Sequence, residues 1–255
     1  MSLIGVIGSA ARRRGGVAPG FDVLSLSPAL WLDGSDTATM YDATSGGSLV
    51  AADGLIARLE DKSGNARHAT QSDSGLRPVR KNSQFGSLGA IRFDSDNWEL
   101  PNFLSGASGE VFYVCKHDSD PSPSGATAGP LVGNFGSSGL SSVQPWTDGN
   151  IYEAFGSTTR HSCGNPVPSL ANIHILHMSS QANLWFIRIN NSPQFSTVTN
   201  TVGWRSDPQI GRDNVQGTWW FIGLMGEIIF CQSTLTETQR TDTANYLAAK
   251  WGVTI

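Results

Sequence analysis

FIGLMGEIIFCQSTLTETQRTDTANYLAAKWG (residues 221–252) carries two signals in succession. Residues 221–232 are apolar on both sides of Glu227, the pattern of a strand buried in mid-sheet. Thr236-Glu237-Thr238-Gln239 then fits a capping box, in which the Thr hydroxyl serves the amide three residues on and the Gln side chain reaches back. Glu237 stands where the helix dipole favours an acid. Ala244, Leu247, Ala248 and Trp251 follow the i, i+3, i+4, i+7 spacing of one apolar face, Lys250 lies in the last turn and Gly252 ends the helix. Such a helix is expected to lie flat on a sheet with Leu247 and Trp251 turned inward. Glu227, a lone carboxylate in an apolar strand, is expected to be salt-bridged or hydrogen-bonded.

The rest of the chain repeats the strand half of that signal. Ile91 to Phe93 alternates apolar and charged; EVFYVCK (110–116) and NIHILHM (172–178) are apolar on both faces. LWFIRINN (184–191) ends on Asn190-Asn191, a pair able to enter the left-handed region at a hairpin tip. SGG, DSGLRP, SGASG, DPSPSGATAGP and GSSG separate these runs. Short strands punctuated in this way predict an all-β, two-sheet sandwich. Composition agrees: 255 residues with 15% charged, 29 Gly and 12 Pro suit a loop-rich β protein of one domain. A net charge of −4 argues against a chain-wide attraction to nucleic acid or acidic membranes.

The N-terminus reads differently. An apolar run with Leu3, Ile4, Val6 and Ile7 precedes Arg12, Arg13 and Arg14, the reverse of the order in a secretory signal. Gly15, Gly16, Pro19 and Gly20 then break regular structure. Residues 1–26 are expected to form an extended arm and 27–255 the sandwich domain. The arm is either a solvated tail or an assembly element ordered by a partner, with its arginines pairing to carboxylates or phosphates. Cys115, Cys163 and Cys231 are odd in number and far apart, so they are expected to be buried thiols rather than disulfides or a zinc set.

Three segments together resemble the concanavalin A-like, laminin-G-like jelly-roll domains of phage and bacterial proteins. The first is SPALWLDGSD (27–36), running on to LEDKSGNARHATQ (59–71). The second is IHILHMSSQANLWFIRINNSP (173–193), with Asn190-Asn191 where Asn-Gly is usual. The third is residues 209–252, which include the opening stretch. The resemblance covers residues 27–255 and implies two stacked antiparallel sheets, but no single function. It makes DKSGN a turn beside a strand end, with Asp61 accepting backbone amides and Gly64 or Asn65 taking positive φ. It also brings the expectation of a phage-type virion component, such as a capsid decoration (cement) or tail-associated protein. That component would dock on other virion proteins through the arm, most simply as a homo-oligomer such as a trimer.

No catalytic constellation is legible. The acids are scattered, without the paired carboxylates of a glycosidase strand. There is no G-x-S-x-G, and His68, His117, His161, His174 and His177 show neither HExxH nor Cys-His zinc spacing. The reading is therefore of a non-enzyme without a cofactor. His174 and His177, three apart on a strand, should face opposite sides. Asp94 and Asp96 in FDSDNWE are either a cation site, calcium being the candidate, or a turn cap, with the cap favoured. Trp31, Trp185 and Trp251 read as core, and Trp220 as a plug at a strand end. Trp146 in VQPWTDGN and Trp204-Arg205 in VGWRSDP sit in turns, where indoles can stack on sugar faces or fill the end of the sandwich. These residues carry the alternative reading, a carbohydrate-binding module, extracellular or on a cell surface.

Overall fold

The computed structural model describes residues 20–213, 215 and 219–255. In the strand Ser108–His117, side chains alternate as the pleat requires. Val111, Tyr113 and Cys115 enter one hydrophobic core, and Phe112 and Val114 enter another. Every other element is arranged around that division. Ser108–His117 is flanked by His174–Gln181 and Ile222–Cys231 in an antiparallel sheet whose order is Ser192–Thr197, Leu184–Ile189, His174–Gln181, Ser108–His117, Ile222–Cys231, Leu88–Asp94, Val79–Phe85. Leu30–Asp33 adds to the second half of Ile222–Cys231, whose first half pairs with Leu88–Asp94. Short strands, Gln209–Ile210, Trp98–Glu99, Ala69–Thr70, Arg58–Leu59 and Met40–Tyr41, make a second antiparallel sheet. The larger core lies between the sheets, and the expected sandwich is the observed fold.

A bulge decides which side chains reach which core. Met225 pairs with Cys115 and Glu227 with Val114, so Gly226 is the extra residue. Met225, Ile228 and Phe230 face the inter-sheet core; Leu224, Ile229 and Cys231 face the other. A Cβ at Gly226 would stand 3.1 Å from both the Trp251 ring and Val114, so the helix rests directly on the bulge.

The helix Glu237–Trp251 covers the outer face, burying Ala244, Leu247, Ala248 and Trp251 as its spacing predicts. The capping box is formed, and Gly252 ends the helix at φ 72°. Two buried carboxylates fasten it to the sheet. Glu227 accepts from Lys250 Nζ and Trp251 Nε1 at 2.8 Å each, from Trp31 Nε1 at 2.7 Å and from Tyr246 Oη at 3.0 Å. Lys250 also reaches Asp33 at 2.8 Å. Near the other end Glu110 accepts from Arg240 Nε at 3.0 Å, His177 Nε2 at 2.9 Å and the Leu235 amide at 3.0 Å. Burial alone would raise the Glu110 carboxyl, but His177 and Arg240 outweigh it and hold the group at about 2.

Leu3, Ile4, Val6, Ile7, Arg12, Arg13 and Arg14 of the expected arm lie outside the described residues. The part of the arm that is described packs on the helix layer. Val23–Leu26 forms a 3-10 turn with Val23 and Leu26 buried, and the rings of Phe21 and Tyr246 are 5.4 Å apart.

In DKSGN, Asp61 Oδ1 accepts the amides of Ser63 and Trp31 at 2.9 Å each, and Oδ2 accepts the Arg67 amide at 3.0 Å. One carboxylate thus ties the turn to the neighbouring strand. Gly64 takes φ 87°, but the second left-handed residue is Ala66 at 55°, not Asn65. Asn65 instead donates its side-chain amide to the Pro28 carbonyl at 3.0 Å. His68 Nδ1 accepts the Asp61 amide at 3.0 Å, which places its ring in the turn. At the hairpin tip Asn190 and Asn191 take φ 49° and 62°, as their sequence predicts.

Candidate functional site

The long connection between Ser108–His117 and His174–Gln181 folds over the inter-sheet core and presents a tight turn at residues 146–150. The turn is closed by Trp146 N donating to Asn150 O at 2.8 Å and Gly149 N to Trp146 O at 2.9 Å. Asp148 organises it further: its carboxylate accepts the Asn150 amide at 2.8 Å, Asn150 Nδ2 at 2.9 Å and Tyr152 Oη at 2.8 Å. Trp146 is thereby held half-exposed, with its six-membered ring over Gly125, where a Cβ would come within 2.7 Å. Its indole meets that of Trp219 at 5.3 Å and 40°.

Trp219 and Trp220 form a short strand paired with Arg212–Asp213, and the Arg212 guanidinium lies 4.8 Å over the Trp220 ring. The Gly129 amide donates to Trp220 O at 2.9 Å, and a Cβ at Gly129 would overlap that backbone. The outcome is a platform of two half-exposed indoles with the exposed Asp148 carboxylate, Asn150 and Tyr152 beside it. Arg160 lies 5.3 Å over the Tyr152 ring. Flat apolar faces next to oriented polar groups are what recognition of a ring with both C–H and hydroxyl faces requires.

Beneath the platform two carboxylates are buried, joined through Ser142. Its hydroxyl donates to Glu153 at 2.8 Å and its amide to Asp213 at 2.7 Å. Glu153 also accepts from Gln144 Nε2 and from the Ala154 amide at 2.8 Å; Asp213 accepts the Val215 amide at 2.9 Å. These donors are neutral. Burial accordingly pushes the Glu153 carboxyl up to about 7 and raises Asp213. Both side chains are enclosed, and each is engaged in holding a loop that builds the platform.

The remaining sequence candidates are placed elsewhere. Trp204 is a wedge: its indole packs against Phe155 and Phe230, its ring edge fills the space over Gly109 and Gly156, and its Nε1 donates to Gly106 O at 3.0 Å. Arg205 pairs with Asp207 at 3.1 Å. Asp94 ends its strand and Asp96 lies beyond Ser95 at φ 64°, so the two do not alternate along one strand face. Asp96 accepts the Asp94 amide at 2.7 Å, the hydrogen bond of a turn cap, and burial pushes its carboxyl up to about 6. Trp185 and Trp251 are buried as expected; Trp31 is only partly so, with the Lys62 ammonium 4.6 Å over its ring.

Among the described residues, the His, Cys, Asp and Glu side chains whose donor atoms converge as a metal would require are Cys115, His117 and His174. Sequence spacing gave no sign of them as a set, because they meet across two strands. Tyr152, Asp148 and the Glu153–Asp213 pair were likewise invisible. The one available signal, Tyr and Asp flanking a T-D-G-N turn, is common in loops of every kind.

No family model matches this sequence, and no curated protein matches it. Solved structures do. Domain 4 of AbnA, a GH43 extracellular arabinanase from Geobacillus stearothermophilus, determined in complex with arabinotriose, is 20% identical; the match covers 72% of this chain and 92% of that one, with a TM-score of 0.50. The receptor binding domain of botulinum neurotoxin D is 13% identical over 90% of this chain and 56% of that chain, with a TM-score of 0.58. Trypanosoma rangeli sialidase in complex with 2,3-difluorosialic acid is 11% identical over 89% of this chain and 37% of that chain, with a TM-score of 0.53. The chain thus spans about half of the toxin chain and little more than a third of the sialidase chain. At these identities the likeness is one of fold, and it places the chain among β-sandwiches of the kind found in the arabinanase, toxin and sialidase structures.

Proposed function

We propose that this protein is a carbohydrate-binding β-sandwich domain, extracellular or at a cell surface, that recognises a glycan without cleaving it. The observation that carries this reading is the platform: Trp146 and Trp219 in mutual contact, half-exposed, and set on backbone that Gly125, Gly129 and Asp148 hold in place. The fold neighbours support it, one having been solved with arabinotriose and another with a sialic acid derivative. Sugar rings stack on Trp146 and Trp219, while Asp148, Asn150 and Tyr152 receive their hydroxyls. The virion reading, with its trimer and its docking arm, rests on the sequence resemblance and on the arm at residues 1–26; the fold neighbours named above add nothing to it.

A glycan array followed by calorimetry, with arabinotriose and sialylated oligosaccharides among the probes, tests the proposal. Wild type should bind a glycan, and Trp146→Ala and Trp219→Ala should each weaken binding at least tenfold, since central aromatic anchors dominate such contacts. The proposal is overturned if wild type binds no glycan. It is equally overturned if both variants bind as wild type does, or if a folded Trp204→Ala variant loses binding while they keep it.

A further inference from the structure

We propose that Cys115, His117 and His174 form a buried binding site for one thiophilic metal ion, copper(I) or zinc(II). The three side chains come from the centre of the large sheet. Cys115 and His117 are two apart on one strand and so share its inner face, and His174 on the next strand is the direct cross-strand partner of Cys115. Their donor atoms all lie within 4.8 Å of one another. Cys115 Sγ and His174 Nε2 are 3.3 Å apart, close to the roughly 3.5 Å that two ligands span when they share an ion with metal–sulfur and metal–nitrogen bonds of about 2.3 and 2.0 Å.

The hydrogen bonding of His174 already suits a ligand. His174 Nδ1 lies 2.9 Å from the Asn172 carbonyl, which accepts from it. The proton is therefore on Nδ1, and the Nε2 lone pair is turned toward Cys115. A backbone carbonyl in this position is the usual outer partner of a metal-bound imidazole.

His117 supplies an independent observation. It is 2% exposed, stacked against the His174 ring at 5.8 Å and 8°, and its Nε2 has no hydrogen-bond partner. An orphaned polar atom in a core is costly, and the Phe221 ring edge 5.0 Å away offers it nothing. A metal ion held in common by His117, His174 and the sulfur would satisfy it. A fourth, weaker donor is in register: Met225 pairs with Cys115 across the ladder and faces the same core.

A thiolate, two imidazoles and a thioether select a soft or borderline ion over magnesium or calcium. Binding forms a metal–sulfur bond and releases the Cys115 thiol proton, now shared with His174 Nε2, to solvent; no electron is transferred. The ion would lock Ser108–His117 to His174–Gln181 at the end of the sheet nearest Asn172.

The test uses the full chain stripped of metal by a chelator. It is titrated separately with Zn2+, with Cu+ under anaerobic conditions, and with Co2+ as a spectroscopic probe. One equivalent of Zn2+ or Cu+ should bind and raise Tm with increasing metal concentration. Co2+ should give a thiolate-to-metal charge-transfer band, which Cys115→Ser abolishes, and His117→Gln should weaken binding at least tenfold. Stoichiometric binding of only one of the two ions supports the site and identifies its metal. The proposal is overturned if folded wild type binds neither ion above background, if it binds Zn2+ but shows no Co2+ band, or if uptake is unchanged in both variants. The wild-type arms decide the matter even if a variant fails to fold.

Discussion

Carboxylates are buried in two regions of this molecule, and the two regions treat them in opposite ways. Under the helix, Glu227 and Glu110 each meet a cation, Lys250 and Arg240, and further N–H or O–H donors. Under the loop platform, Glu153 and Asp213 are hydrogen-bonded by hydroxyl, side-chain amide and backbone groups that bear no charge. Desolvation is present in both places, so the difference lies in what opposes it. His177 and the Arg240 guanidinium win at Glu110 and leave it ionised; neutral donors lose at Glu153, whose carboxyl is pushed up to about 7. The helix layer is built for constancy, whereas the platform rests on groups whose charge follows the medium.

The comparison breaks most visibly if Glu227 is removed. Glu227→Ala should cost about 3–5 kcal/mol in chemical denaturation, because it takes the acceptor from two indole N–H groups and the Tyr246 hydroxyl and leaves Lys250 with Asp33 alone. A loss below about 1 kcal/mol would mean that the network does not fasten the helix.

The second effect is a pH response of opposite sign in the two regions. Glu153 binds its proton more tightly when folded, at about 7 against an ordinary 4.5. Its contribution is complete below about 4.5 and is lost as pH rises through 7, on the order of 3 kcal/mol in all. Glu110 is the mirror case: its contribution is present above 4.5 and is lost as pH falls toward 2. Between pH 4.5 and 8 the denaturation midpoint of Glu153→Gln should therefore rise relative to that of wild type, the buried neutral histidines acting alike in both. Identical slopes would show that Glu153 is not the group responsible.

The smallest effect sharpens the comparison at the helix terminus. Thr236→Ala removes the cap of Gln239 N and should cost about 1 kcal/mol, with glycan binding unchanged.

Local signals in the sequence were translated directly into structure. The capped helix, its inward face and the Asn190-Asn191 tip follow from residues close together in the chain, where spacing alone carries the geometry. His174 and His177 do face opposite sides, one toward Cys115 and the other toward Glu110. What was not legible depends on which strands become neighbours. Nothing in C-x-H at 115–117 announces that His174 will stand opposite Cys115, and nothing in the isolated acids Glu153 and Asp213 announces that Ser142 will join them. Trp146 and Trp204 looked alike as turn tryptophans. The structure separates them by neighbours distant in sequence: glycines and phenylalanines that accept Trp204 as a wedge, and Trp219, which keeps Trp146 near the surface.

The bulge at Gly226 carries a consequence for comparing this chain with others. It acts as a parity switch: before it, odd-numbered side chains point into the sandwich, and after it, even-numbered ones do. A relative lacking that single residue, with every other letter unchanged, would pair regularly and keep Glu227 toward the helix and Ile228 and Phe230 in the inter-sheet core, whereas a strand that kept Gly226 but paired it without the bulge would exchange them. An alignment that slides a gap past this point would pair residues by letter while exchanging inside for outside, so Gly226 is the position at which such alignments should be anchored.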